Sequence, residues 1–156
     1  MRKVLIALDY DPTAQKVAEA GYALAKSLKA EVVLLHVMRD SVFYSTSKFS
    51  PIMGYNGYVD VSPTVLESAD GLKNASLQYL DKTRQHLGDT SIQTLVKGGD
   101  FAETILETAT ELHSSIVVIG SHSQKWLENI VMGSVTEKVL RHSSIPLFIV
   151  PTKKNS

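Results

Sequence analysis

Short apolar runs alternate along this chain with longer stretches whose apolar positions recur every three or four residues. The runs are 3–8 (KVLIAL), 31–37 (EVVLLHV), 91–97 (SIQTLVK), 115–120 (SIVVIG) and 146–150 (PLFIV). They predict five strands, and the nearly unbroken apolar character of 31–37 is expected of a strand covered on both faces. Between them, Ala14, Val17, Ala18, Gly21, Ala25 and Leu28 share one face at helical spacing, behind a helix start at Asp11 and Pro12. A second helix is predicted from Ser62 and Pro63 to Gly88, on Val65, Leu66, Ala69, Leu72, Ser76, Tyr79, Leu80, Thr83 and Leu87. A third covers 101–113 on Ala102, Ile105, Leu106, Ala109 and Leu112, and a fourth covers Ser134–His142. Residues 38–61 have no period and are long for a connection without structure, which suits a lid, an interface or a surface excursion. Phe43, Tyr44, Tyr55 and Tyr58 lie within that segment.

Strands alternating with helices predict a single α/β domain over residues 1–152, with a parallel sheet wrapped by helices on both faces. Residues 153–156 read as a polar tail. Right-handed crossovers leave only a few doubly wound strand orders. Sheets of this kind bind ligands beyond the carboxyl ends of the strands, where the strand order reverses. Asp9, Tyr10, residues 37–40, residues 98–100 and the loop after Gly120 are therefore the candidate positions.

Composition narrows the chemistry. Lysine plus arginine and aspartate plus glutamate both number 16, so there is no basic excess to serve as a footprint for nucleic acid. With no cysteine, disulfides, thiolate metal sites and thiol catalysis are excluded. Asp9 cuts the first apolar run well short of a signal-peptide core, and no run approaches the roughly 18 apolar residues of a membrane span. A cytoplasmic location is the expectation. The five histidines, His36, His86, His113, His122 and His142, include no pair at ligand spacing such as i, i+4, so no metal site built by the protein is expected.

Neither common phosphate fingerprint is present: there is no GxxxxGK[ST], and the turn after the first strand, LDYDPTAQ, has no glycine. The stretch from Gly120 to Lys138, GSHSQKWLENIVMGSVTEK, has a logic of its own. Gly120 ends a strand, and Gly133 and Ser134 open a helix whose first amides and dipole favour an anion. A glycine at 133 also suits a backbone conformation that other residues tolerate poorly. Two readings stay open on local pattern. The loop holds a polyphosphate, or Ser134 and Glu137 form an S-x-x-E capping box that needs no ligand. Asp9, at a strand end, suits a ligand-hydroxyl acceptor or a helix cap better than a general base, and no nucleophile, base and oxyanion set is evident.

Across nearly its whole length the chain resembles the universal stress protein family. The resemblance rests on the aspartate of VLIALD, on LLHV, on GGDFAETI, on IVVIGSHS and on GSVTEKVLRHSSIPLFIVP. The nucleotide-binding branch of that family carries G-x2-G-x9-G-[ST]. Here Gly120, Ser123, Gly133 and Ser134 stand at those four positions with the same spacing, and serine replaces the second glycine. Ser115 and Phe101 also depart from the family's usual aspartate and proline, at a strand and a helix entry.

The resemblance implies a five-stranded sheet of order 3-2-1-4-5, similar to adenine nucleotide alpha-hydrolase and Rossmann folds. It implies binding of ATP, with ADP and AMP as alternatives, and of Mg2+ held through the phosphates. Asp9 and the backbone around Val37 would lie by the adenosine, beside Ala7. Ile119 and Gly120 would line base and ribose, and Ser121, His122, Ser123, Gly133, Ser134 and Val135 would lie along the phosphates. The implied role is regulatory, without strong catalysis, in a homodimer formed through the last strand. The rival readings are a slow ATPase or adenylyl-group enzyme, and a dimeric interaction module that binds no nucleotide.

Overall fold

In the structure, a computed structural model, residues 2–10, 12–38, 69–121 and 133–152 are described, residues 69 and 70 by backbone alone. The strands are β1 (Lys3–Ala7), β2 (Glu31–Met38), β3 (Gln93–Gly98), β4 (Ile116–Gly120) and β5 (Leu147–Val150). The helices are α1 (Ala14–Ser27), α2 (Ala69–Leu87), α3 (Phe101–Glu111) and α4 (Ser134–His142). The sequence reading of residues 39–68 as an aperiodic segment and a helix start lies outside the described residues, as do the loop residues 122–132 and the tail.

The five strands form one sheet of order β3-β2-β1-β4-β5, and every pairing is parallel. The chain leaves β1 toward β2 on one side and returns through β4 on the other, so the order reverses at β1 and β4. Alternate residues of each strand face opposite sides of the sheet. Val4, Ile6, Val32, Leu34 and Val118 pack on one side with Ala14, Val17 and Ala18 of α1 and Leu72, Tyr79 and Leu80 of α2. Leu5, Val33, Leu35, Val37, Val117 and Ile119 pack on the other with Ala102, Ile105 and Ala109 of α3 and Val139 of α4. Both faces of the sheet are thus covered at its central strands, which is why β2 reads as a continuous apolar run.

Small residues set how closely α1 approaches the sheet. A Cβ built on Gly21 would stand 2.8 Å from Ile6 Cδ1 and 3.0 Å from Val118 Cγ1, so a larger residue would push the helix off β1 and β4. The predicted third helix stops at Glu111 rather than 113. His113 turns to φ 53 and Ser114 N–H donates to Ala109 O at 2.9 Å, a left-handed close that ends the helical ladder. Both ends of α4 agree with expectation, and the other described element ends that differ do so by one to three residues.

Candidate functional site

The carboxyl ends of β1 and β4 lie side by side. Ile6 pairs with Val118, so Ala7 is level with Ile119, and Ala7 pairs with Leu35 on the other side. Leu8 N–H extends that ladder to Leu35 O at 2.9 Å, which sets Asp9 level with Val37. Ala7, Asp9, Val37, Ile119 and Gly120 are therefore gathered at one end of three adjacent strands, as the sequence reading expects. Val37 and Ile119 are buried, whereas Asp9 is exposed beyond them.

The turn leaving β1 is held from below. His36 Nδ1–H donates to Leu8 O at 2.8 Å, and Tyr79 OH donates to Asp9 O at 2.8 Å. Tyr10 packs at a tilt against His36, with ring centroids 4.1 Å apart, and against Tyr79 at 5.1 Å, and it shares a hydrogen bond with Ser76 Oγ. His36 is completely enclosed, and among the described residues its Nε2 has no hydrogen-bond partner. Burial pushes the His36 imidazole down to about 4, against a smaller upward pull from Leu8 O, so the ring is neutral with its proton on Nδ1. Periodicity marks Tyr79 only as one more core position of α2, and spacing dismisses His36 as a metal ligand. The contact of both with the β1 exit is a tertiary fact that neither signal carries.

The loop after β4 is tied at both roots. Ser121 N–H donates to Val150 O at 2.9 Å, and Gly133 N–H donates to Ser121 O at 3.2 Å. Thr136 Oγ1 donates to Gly120 O at 2.7 Å, and Thr152 N–H donates to Ser121 Oγ at 3.1 Å. These bonds hold the first turn of α4 against the end of β4. Thr136 and Thr152, both buried, were not among the expected site residues. Ser121 is tied into the framework through its N–H, its carbonyl and its hydroxyl. His122 and Ser123 lie outside the described residues.

The entry of α4 departs from the capping-box expectation. Gly133, not Ser134, is the N-cap, and among the described residues no side chain caps the turn. Ser134 is the first helical residue and is exposed, Val135 is half-buried against the α3 side of the core, and Glu137 bonds Arg141 at 2.6 Å. A serine one position inside the helix no longer aims its oxygen at the third amide, so the box cannot close. The first ladder bond is Glu137 N–H to Gly133 O at 3.0 Å, which leaves the amides of Ser134, Val135 and Thr136 ahead of it. Gly133 has φ −70 and ψ 160, extended backbone open to any residue, so conformational strain is not what calls for glycine there.

The candidates after β3 have a structural use. Gly99 has φ 139, and a Cβ there would stand 2.7 Å from Thr104 Oγ1. Asp100 caps α3 by accepting from Glu103 N–H at 3.0 Å, and Lys138 of α4 reaches it at 3.5 Å. β3 is at the sheet edge, two strands from the reversal point.

The sequence matches the Universal stress protein family over residues 1–151. The chain belongs to that family. Universal stress protein MJ0577 of Methanocaldococcus jannaschii is 30% identical over 162 residues, covering 99% of this chain and 97% of the relative. Universal stress protein YxiE of Bacillus subtilis is 29% identical over 150 residues, covering 95% and 97%. The solved structure of MJ0577 superposes with a TM-score of 0.70 at 28% identity, over 99% of this chain and 98% of that one. A universal stress protein solved in complex with cAMP has a TM-score of 0.64 at 15% identity, covering 97% and 98%, a likeness of fold alone. Among the described residues no helix is long and apolar enough to cross a membrane.

Proposed function

We infer that this universal stress protein binds ATP at the reversal point of its sheet and uses the bound nucleotide in a regulatory role rather than in strong catalysis. The observation that carries this reading is the start of α4, whose first turn has no side-chain cap among the described residues and is pinned to the end of β4, beside β1. Amides ahead of the helical ladder, at the positive end of the helix dipole, suit an anion such as a phosphate chain. Ser134 and Val135 would donate to it, and Gly133, whose own amide is engaged by Ser121 O, would let the backbone come close, with His122 and Ser123 of the loop as further donors. Mg2+ would be held through phosphate oxygens and water.

Asp9, an exposed acceptor level with Val37, is the natural partner for ribose hydroxyls, and Ala7, Val37, Ile119 and Gly120 supply the wall for base and sugar. That one universal stress protein is solved with cAMP is consistent with a fold that accommodates an adenine nucleotide. The reading includes a homodimer through β5, which among the described residues pairs only with β4 and exposes Phe148. Mass spectrometry of small molecules released from freshly purified protein, followed by titration with ATP, ADP and AMP in magnesium buffer, tests the ligand. Release of an adenine nucleotide or saturable binding supports the reading. Absence of both at millimolar nucleotide overturns it.

A further inference from the structure

Asp9 stands at the surface, yet the two peptide groups that set its conformation are fixed from inside the protein. The peptide before its Cα is held through Leu8 O by His36 Nδ1–H at 2.8 Å, and the peptide after it through its own carbonyl by Tyr79 OH at 2.8 Å. The donors come from different elements, β2 and α2, and Tyr10 is packed between the two rings. His36 gives up one ring nitrogen to this contact while the other is buried with no partner among the described residues. An apolar residue at 36 would avoid that desolvation, so packing alone does not account for the imidazole. Fixing both peptide planes fixes φ and ψ of Asp9, and with them the direction of its Cα–Cβ bond.

We propose that His36 and Tyr79 are positioning residues for Asp9: together they aim its carboxylate over the ends of β1 and β2, where it meets the ligand. The proposal rests on the nucleotide-binding reading, with Asp9 as the group that touches the ligand and His36 and Tyr79 acting through it. It adds a further element, α2, to a site otherwise built from strand ends and the start of α4.

The test is a double-mutant cycle read by calorimetry with ATP and Mg2+. Tyr79→Phe keeps the ring and removes the donor, and it should weaken ATP roughly fivefold, the worth of one hydrogen bond. In an Asp9→Ala background the same change should have no further effect, because the group being positioned is gone. His36→Leu should behave like Tyr79→Phe. His36→Asn, whose amide nitrogen can stand near the position of Nδ1, should restore most of the affinity. Unaltered affinity in Tyr79→Phe, or an equal loss with and without Asp9, would overturn the proposal.

A readout without nucleotide separates this outcome from failure of the ATP reading. In Tyr79→Phe and His36→Leu, the Leu8 amide, bonded to Leu35 O at 2.9 Å, should exchange with solvent about tenfold faster while amides within β2 keep their protection. If wild-type protein bound no nucleotide and this acceleration appeared, the ATP reading would fall and the positioning of the β1 exit would stand. If the Leu8 amide kept its protection in both variants, the positioning claim would fall.

Discussion

At the residue scale, the β1 exit joins an exposed carboxylate to a buried, neutral imidazole. If Asp9 accepts ligand hydroxyls, Asp9→Ala should lose about 1–3 kcal/mol of ATP affinity, as for hydrogen bonds to an ionised acceptor. Its thermal unfolding should shift far less, since the side chain is exposed; calorimetry and a melting curve check the two halves. His36 gives a separate prediction for pH. Its folded value of about 4 lies below the ordinary 6.5, so the unfolded chain takes up the proton first as pH falls. The stability it contributes should be complete above pH 6.5, decline as pH drops toward 4, and change no further below that, a total of about 3 kcal/mol. Urea unfolding of wild type and His36→Asn across that range should show the wild type losing the advantage; parallel curves would refute it. The place of Asp9 beyond the carboxyl end of β1 was legible in the sequence, because it directly follows an apolar run. Tyr79 was not, because a helical stripe cannot show which of its members reaches across to a turn.

At the element scale, the start of α4 separates a ligand site from a capped helix. Ser134→Pro is the discriminating change. Proline is tolerated at the first helical position, and the extended conformation of Gly133, φ −70 and ψ 160, is the one a residue before proline prefers. The substitution therefore removes one amide donor and little else. ATP affinity should fall about tenfold, or about 1.4 kcal/mol, with the melting temperature nearly kept. Ser134→Ala retains the amide and should bind nearly as wild type does, and equal affinities for the two variants would remove this turn from the site. The helix itself was legible residue for residue as Ser134–His142, since its apolar period and the glycine before it agree. Its cap was not, because S-x-x-E fits both a serine cap and a serine one place inside the helix, and only the backbone angles distinguish them. The central strands β1, β2 and β4 were legible within a residue because both their faces are covered, whereas the edge strands β3 and β5 are half-exposed.

At the scale of the whole molecule, the order β3-β2-β1-β4-β5 makes β5 an edge whose outer backbone groups have no strand partner among the described residues. Phe148 is 38% exposed on that edge, whereas Val150 is buried, so only Phe148 is a clean probe of association. Phe148→Lys should turn a dimer into a folded monomer by light scattering, because a charge on an exposed edge strand blocks pairing. A folded variant of unchanged dimeric mass would contradict assembly through β5. The sheet order was legible only through the family resemblance, since strand and helix alternation alone leaves several doubly wound orders. The central claim joins all three scales: Asp9, the α4 entry and the reversal of strand order serve one adenine nucleotide. Calorimetric titration of the wild-type chain with ATP and Mg2+ tests it most directly. The account predicts saturable binding of one ATP per chain, weakened by both Asp9→Ala and Ser134→Pro. No heat of binding at millimolar ATP, or binding untouched by either change, would contradict it.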